Sequence, residues 1–408
     1  MSQQGPILVV STAKRPSLAA ELGLSELFPI VEADWTDAAR AVDQVQPAAV
    51  LAASSDGDEG GFAALAARVA ARQPYTPLIA LDPPIQLPEN AIPFFQIQNS
   101  PDRLIARLRA ALRVRSLHAT VMRRLVPAAT MALSQIDMAR DATVLLIGRG
   151  GAYPTLSVSL GERTGVVGAL SIEAAAKHLN VRDIDGIVLG EGFGPRVIEA
   201  FLTVLAEDAR FRHLPIVVTA VDLAPTYDLP NLEIVSGDAA QVVAIALPLI
   251  RQHAFEAHLS RTLKSIDAEG LIDARTGLLT PEAFARDFAS AVYQTQQRGG
   301  GLSVARFAFD PAHLRAQFDG ARIISRLMRQ MDFGAVQDDG SVVVAFAETD
   351  LKTAYAIARR LSSVMRHTSH GKRDTRMEPV VTAASLLSSD SGKSLLSRLD
   401  QEAQRAAS

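Results

Sequence analysis

The chain has 408 residues, of which 48% are hydrophobic and 21% charged, and its formal net charge is -3. This composition excludes an intrinsically disordered chain, and the small net charge excludes a global field that would recruit nucleic acid or an acidic membrane. The absence of cysteine excludes disulfides and thiolate catalysis, and no run of about 18 apolar residues predicts a membrane span. We therefore expect a cytoplasmic protein of about three domains.

Short apolar runs alternate with helical patterns over the first part of the chain. Buried-strand candidates lie at residues 7–10, 48–51 and 77–81, and an alanine-rich helical pattern covers residues 61–72. Strands that are separated by helices form a parallel sheet with helices on both faces. This part is therefore predicted to be a doubly wound α/β domain.

The same alternation returns further along the chain. Strands are predicted at residues 143–147, 186–189, 215–218 and 232–235, and helices at residues 172–179 and 195–208. Corresponding strands of the two parts are offset by about 137 positions, which is the size of a domain and too long for a solenoid repeat. We expect two copies of one doubly wound unit.

Two long helical segments flank the second copy. The first, at residues 103–139, is basic and amphipathic and has two interpretations. It is either a solvated helix that ends the first copy and packs on the second, or an arm that binds nucleic acid. The negative charge of the whole chain favours the solvated helix, so no nucleic acid is expected as a partner. The other segment, at residues 241–266, leads into the last domain.

Small and polar residues follow the predicted strands of both copies. The copies resemble response-regulator receiver domains, which implies a flavodoxin-like fold in which acidic residues hold Mg²⁺ and an aspartate accepts a phosphoryl group. Those positions are instead held by Ser11-Thr12 and Ala52-Ala53 in the first copy, and by Gly148-Arg149 and Gly190 in the second. Asp56 and Asp58 come too late in the sequence to replace the phosphoacceptor. We expect pseudo-receivers that serve packing and dimerisation.

The segment Gly148-Arg149-Gly150-Gly151 directly follows a predicted strand. Glycines at such a position are typical of nucleotide-binding loops, and they are also typical of a tight turn at the end of a strand. The segment lacks the complete G-x-G-x-x-G pattern and the Lys-Ser/Thr of a P-loop. A strand-exit turn is therefore the favoured interpretation.

The last part of the chain contains three short motifs in order. They are Asp273-Ala274-Arg275-Thr276-Gly277-Leu278, then Phe284, and then the segment LLSRLDQEA at residues 395–403. In order and spacing they are similar to the opening motif D-x-L-T-G-L, the following phenylalanine and the closing helix L-L-x-R-A-D-x-A-L of GGDEF domains, the diguanylate cyclase family. Residues 267–408 therefore resemble a GGDEF domain, which implies an α+β fold of the nucleotidyl cyclase type.

The positions that carry catalysis in that family differ in this chain. The resemblance implies two metal-binding carboxylates, and Ala308 stands at the first of these positions with Asp310 at the second. The signature turn at residues 338–342 reads DDGSV, in which glycine and serine replace the acidic pair. Without its metals, the reaction would lose several kcal/mol of transition-state stabilisation. We therefore expect no catalytic residue, no metal site, no cofactor and no cyclase activity.

Arg329 and Asp332 form an R-x-x-D pattern, with five residues between Asp332 and the signature turn. The resemblance implies that such a pattern binds the product of these cyclases, cyclic di-GMP, and the register adds Arg360 from the following helix. Arginine can bind guanine O6 and N7 together, and a carboxylate can accept from the N1 and N2 edge. The alternative is a solvated charge pair on a surface helix. The spacing to the turn favours the ligand site.

The order of the domains resembles the PleD/PopA-like cyclic di-GMP receptor family. The predicted domains are a pseudo-receiver at residues 1–120, a helical linker at 121–139, a second pseudo-receiver at 140–255, a helical linker at 256–266 and a degenerate GGDEF domain at 267–408. The resemblance implies a non-catalytic receptor for cyclic di-GMP that forms a homodimer and acts on regulatory or adaptor proteins, without inserting into a membrane. Two alternatives are a divergent cyclase that uses Asp310, Asp338 and Asp339, and a scaffold without a ligand.

Overall fold

The computed structural model describes residues 5–11, 28–53, 59–83, 87–95, 101–124, 138–219, 229–298, 301–329, 331–368 and 378–407. The predictions for Thr12, Asp56, Asp58 and residues 125–137 of the first linker fall outside the described residues. The chain divides into two compact units. The first comprises residues 1–175 and 184–259, and the second comprises residues 176–183 and 260–408.

The first sheet has five parallel strands in the order β2-β1-β3-β4-β5. Its strands are β1 (Ile7–Val10), β2 (Ile30–Ala33), β3 (Ala49–Ala53), β4 (Leu78–Leu81) and β5 (Ala91–Phe94). Its helices are α1 (Ala38–Val45), α2 (Glu59–Ala70) and α3 (Pro101–Arg124). The predicted strands are confirmed as β1, β3 and β4. The pattern misses the two edge strands, because β2 is half-exposed and β5 contains Pro93.

The second sheet is also parallel, and its strand order is β10-β9-β8-β6-β7. Its strands are β6 (Thr143–Ile147), β7 (Gly165–Ala169), β8 (Gly186–Leu189), β9 (Ile216–Val218) and β10 (Leu232–Ile234). The accompanying helices are α4 (Met138–Asp141), α5 (Tyr153–Gly161), α6 (Ile172–Val181), α7 (Pro195–Glu207) and α8 (Ala239–Asp267). Within each sheet, the strands have the order 2-1-3-4-5 of flavodoxin-like folds, so the predicted repetition of one doubly wound topology is confirmed.

The second unit has an antiparallel sheet in the order β12-β13-β11-β14. Its strands are β11 (Leu302–Ala308), β12 (Phe333–Val336), β13 (Val342–Ala347) and β14 (Val380–Ser385). Its helices are α9 (Pro281–Arg298), α10 (Leu314–Leu327), α11 (Leu351–Thr368) and α12 (Gly392–Ala407). The α+β expectation for residues 267–408 is confirmed. Among the described residues, no helix combines the length and the apolar character needed to cross a bilayer.

Both faces of the antiparallel sheet are buried. Phe307 and Val344 pack in a cluster with residues of α10 and α11, on one face. Val304 and Val343 belong to a cluster with residues of α9 and α12, on the other face. Successive side chains of a strand point to opposite faces, so the apolar runs of β11 and β13 serve two separate cores.

Helix α3 of the first unit carries a fully buried arginine. Arg107 is 0% exposed and forms an ion pair with Glu233 of β10, with 2.9 Å between nitrogen and oxygen. Its guanidinium also donates to the carbonyl oxygens of Pro93, at 2.8 Å, and Pro230, at 2.7 Å. Because a buried charge requires partners of this kind, Arg107 joins α3 to β5 and β10, which are edge strands of the two parallel sheets. The prediction that this helix packs on the second copy is confirmed. The prediction that it is solvated is wrong for the face that carries Arg107.

Replacing Arg107 with alanine should lower the free energy of unfolding of the first unit by about 3–5 kcal/mol, because Glu233 would remain buried without its counter-charge. Urea denaturation followed by circular dichroism measures this loss. The control is Arg109→Ala, an exposed arginine of the same helix, which should change the free energy by less than about 0.5 kcal/mol. Equal losses in the two variants would contradict the assignment.

Candidate functional site

The signature turn joins β12 to β13 as an ordinary hairpin connection. The amide of Gly340 donates to the carbonyl oxygen of Gln337 at 2.9 Å, and the amide of Gln337 donates to that of Ser341 at 2.8 Å. Gly340 has φ +78°, in the left-handed region that favours glycine. The sequence DDGSV thus contains the Asp-Gly pair that such a turn requires.

Arg306 of β11 binds the carboxylate of the turn. Its guanidinium forms ion pairs with Asp339 of the turn and Asp400 of α12, and its side chain is only 18% exposed. Burial alone would raise the pKa of Asp339, but hydrogen bonds from Ser341 and the Arg306 charge lower it below its ordinary value. The turn carboxylate is therefore already neutralised by a cation of the protein. Sequence analysis missed Arg306, although a charged residue inside the apolar run of β11 was a visible signal.

Asp310, the second family carboxylate position, lies just beyond β11. Its carboxylate accepts from the amide of Ala312 at 2.9 Å and contacts the His313 ring at 3.1 Å. The Ala312 amide and the His313 hydrogen bond lower the pKa of Asp310. Asp338 is exposed in the hairpin turn. Within the described ranges, no three potential metal ligands of the histidine or carboxylate type form a group.

Arg329 and Asp332 lie in a turn between a helix and a strand. Helix α10 ends at Leu327, since Met328 has an extended backbone with φ -61° and ψ 150°. The amide of Asp332 then donates to the carbonyl oxygen of Arg329 at 3.0 Å, just before β12 begins. The alternative of a charge pair on a surface helix is therefore wrong. Gln330, which lies between them, falls outside the described residues.

The two side chains of this turn differ in exposure. Arg329 is exposed, and its guanidinium forms no hydrogen bond or ion pair with any residue that the structure describes. Asp332 is 7% exposed, and both of its carboxylate oxygens are buried without a hydrogen-bond partner in the described part of the chain. Burial raises the pKa of Asp332, and the Arg329 charge and the nearby backbone of Arg329 and Ala347 offset only part of this effect. Such an orphaned acceptor is uncommon, because it has lost its hydration without replacement.

Arg360 is exposed on α11, whose neighbouring residues Ile357 and Leu361 are buried. The structure gives no hydrogen bond or ion pair between Arg360 and the described residues of the Arg329 turn, so its part in the site stays a prediction. A cavity of about 550 Å³ beside the same helix is lined by Arg359, Ser362, Ser363, Arg366, Glu378, Pro379 and Val381. The sequence did not single out Arg359, which lies in the wall of this cavity one residue before Arg360.

In the second sheet, the residues at the receiver-like positions contact other residues of the protein. The amide of Arg149 donates to the carbonyl oxygen of Glu191 at 2.9 Å, and its side chain donates to that of Leu170 at 2.6 Å. The Arg149 guanidinium also lies 5.2 Å from the centre of the Phe193 ring. The loops after β6 and β8 thus hold each other, which agrees with a strand-exit turn at Gly148–Gly151.

No protein-family model matches this sequence, and no curated protein matches it either. Several solved structures are similar to about a third of the chain. The coiled coil and GGDEF domain of DgcB from Caulobacter crescentus, in complex with c-di-GMP, shares 16% identity over 35% of this chain and 83% of that one, with a TM-score of 0.30. The FimX GGDEF domain from Pseudomonas aeruginosa shares 16% identity over 34% and 93%, with a TM-score of 0.30.

Lowering the pH should weaken the hairpin of the second unit through Asp339. Because its folded pKa lies below the ordinary value of 3.8, its contribution to stability is present above that value and is lost as the pH falls through the folded pKa. Asp339→Asn should therefore flatten the acid limb of the stability profile, measured by urea denaturation between pH 2 and pH 6. The matched control is Asp338→Asn, the exposed neighbour, and a similar flattening there would refute the role of the Arg306 contact.

Proposed function

We propose that the second unit is a non-catalytic receptor that binds cyclic di-GMP through Arg329, Asp332 and Arg360. The observation that carries this proposal is the Arg329 turn. It presents an exposed guanidinium with no hydrogen bond or ion pair to a described residue, followed three residues later by a buried carboxylate whose oxygens have no hydrogen-bond partner in the described part of the chain. Unsatisfied groups of opposite charge at such close spacing are typical of a site that is completed by a ligand.

The chemistry of the turn suits a guanine base. An arginine fork can donate to O6 and N7 of guanine, and the carboxylate of Asp332 lacks the donors that the N1 and N2 groups can supply. Met331, between the two residues, is 52% exposed and offers an apolar surface against which a base can lie. Since the oxygens of Asp332 are buried, binding requires a local opening of the turn. Arg329 can then pair with either the base or a phosphate.

The side chains at the family's catalytic positions support a receptor that does not synthesise cyclic di-GMP. Ala308 provides no carboxylate on β11, and Gly340 and Ser341 provide none in the turn. Asp339 is already paired with Arg306. A cyclase would have to place magnesium against these groups, and metal coordination contributes several kcal/mol to such reactions.

The first unit completes the proposal. Its two flavodoxin-like sheets are pseudo-receivers in this scheme, since Gly148, Arg149 and Gly190 stand where phosphotransfer would need carboxylates. They would support a homodimer of the PleD/PopA-like type that acts on regulatory or adaptor proteins in the cytoplasm. Helix α3, fixed by its buried ion pair, makes the two sheets one structural block suited to assembly.

Arg329→Ala should weaken cyclic di-GMP binding about 10- to 100-fold, because a bidentate arginine–guanine contact contributes roughly 1–3 kcal/mol. Isothermal titration calorimetry of the full chain measures this change. Arg286→Ala, at an exposed arginine of α9 in the same unit, is the matched control and should bind like the wild type. Absence of binding heat in the wild type would disprove the receptor and favour a scaffold.

Asp332→Asn should separate stability from binding. Burial raises the pKa of Asp332 in the folded unit above the ordinary value of 3.8. The free energy of unfolding therefore falls as the pH rises from 3.8 through this raised pKa, because the folded unit then holds a buried charge. The amide should therefore increase the free energy of unfolding at pH 7 by about 1 kcal/mol while it weakens cyclic di-GMP binding. Urea denaturation and calorimetry measure the two effects. A loss of stability with unchanged affinity would contradict the proposal.

Incubation of the full chain with GTP and Mg²⁺ or Mn²⁺ should yield no cyclic di-GMP, because Ala308 stands at the first metal-binding position and Gly340 and Ser341 replace the acidic pair of the turn. Chromatography of the nucleotides checks this result. Any turnover above a no-protein control would instead support the divergent cyclase that uses Asp310, Asp338 and Asp339.

A further inference from the structure

A second cavity of the C-terminal unit lies away from the Arg329 turn. It has a volume of about 580 Å³ and lies between α9 and α12, where it reaches Gln337, the residue before the signature turn. Its volume is within the range of pockets that hold small molecules. The cyclic di-GMP proposal does not use this cavity, so its chemistry can be considered independently.

The walls of the cavity are mostly apolar and well supported. Phe284 and Phe288 stack with ring centres 5.5 Å apart and planes inclined by 8°, and both rings are buried in the core behind the cavity. Ala285 and Ala289 keep the α9 side open, because their small side chains leave the groove unfilled. Tyr293 and Leu396 extend the apolar surface towards solvent. An apolar body can therefore bury a large area here without displacing the core.

The polar residues of the cavity provide a single formal charge. They are Gln296, Gln337, Ser391 and Lys393. Lys393 forms no ion pair with any described residue. Asp390, three positions earlier in the sequence, pairs with Arg398 at 2.6 Å and accepts from the amide of Leu387 at 2.9 Å. The side-chain amide of Gln337 also forms no hydrogen bond in the described part of the chain. The cavity thus combines one uncompensated cation, one free amide and a long apolar wall.

We propose that this cavity binds a small amphipathic organic anion, with its carboxylate at Lys393 and its apolar body along Phe284, Phe288 and Tyr293. A purely polar anion would leave the apolar wall in contact with water. A neutral apolar molecule would leave Lys393 without a counter-charge. The carboxylate of a medium-length alkyl or aryl acid satisfies both parts of the site. Gln337 can donate to the same carboxylate, which would bring the ligand against the signature turn.

The probe for this proposal is dodecanoate, titrated into the full chain by calorimetry below its micelle concentration. It should bind with one ligand per chain, and dodecyltrimethylammonium, which has the same alkyl length and the opposite charge, should bind at least tenfold more weakly. Equal binding of the two amphiphiles would indicate unspecific adsorption and overturn the proposal. Absence of dodecanoate binding would overturn it as well.

Two variants test the placement of the anion. Lys393→Gln should weaken dodecanoate binding about tenfold, whereas Lys352→Gln, which changes the second residue of α11 as Lys393→Gln changes that of α12, should bind like the wild type. Ala289→Trp should fill the groove and abolish binding, with folding verified by circular dichroism. Unchanged binding in both cavity variants would refute the site.

The remaining outcomes separate this site from other occupants. If Ala289→Trp changes a dimer into a monomer on size exclusion while the wild type binds no dodecanoate, the groove contacts a second copy and the proposal is wrong. Cyclic di-GMP binding should be the same in Ala289→Trp and the wild type. Absence of dodecanoate binding would therefore not contradict the cyclic di-GMP proposal. Absence of cyclic di-GMP binding would not change what the dodecanoate titration shows about the cavity.

Discussion

The Arg306 guanidinium links three elements of the second unit that are far apart in the sequence. It joins the central strand β11 to the hairpin turn through Asp339 and to the last helix through Asp400. Val304, two residues before Arg306 on β11 and so on the same face of the sheet, packs in the cluster with residues of α9 and α12. One guanidinium of the chain thus pairs with two carboxylates. The hairpin itself is held by the ladder between β12 and β13.

Arg107 likewise pairs with a carboxylate in the first unit, but its side chain is fully buried, whereas that of Arg306 is 18% exposed. Its partner Glu233 is also fully buried, and the carbonyl oxygens of Pro93 and Pro230 accept its remaining donors. A buried ion pair contributes little net stability compared with an apolar pair of the same shape, but it strongly penalises arrangements that leave one charge unpaired. We infer that Arg107 selects one arrangement of α3 against the two parallel sheets. A purely apolar contact would tolerate more alternatives.

Asp332 differs from these two arginines, whose charged groups have partners within the protein. The unit satisfies Asp339 with an arginine and with the amide and hydroxyl donors of Ser341, yet the buried oxygens of Asp332 have no hydrogen-bond partner among the described residues. Natural proteins keep such local conflicts mainly at functional sites, where the missing partner arrives with a ligand. Lys393 and the apolar cavity beside it present a milder form of the same situation, since a cation that forms no ion pair with a described residue borders an apolar wall.

The sequence alone determined the strands with continuous apolar runs, the repetition of one doubly wound topology and the α+β class of the last domain, because these depend on local periodicity. It also singled out Arg329 and Asp332 by their spacing to the turn. It could not determine that β2, β5 and β12 pair at sheet edges, that Arg107 is buried, or that Arg306 neutralises the turn. Tertiary structure decided these features, because burial and charge pairing depend on distances between segments far apart in the chain. For the same reason, only the folded unit distinguishes the exposed Arg329 from the buried Asp332, three residues away.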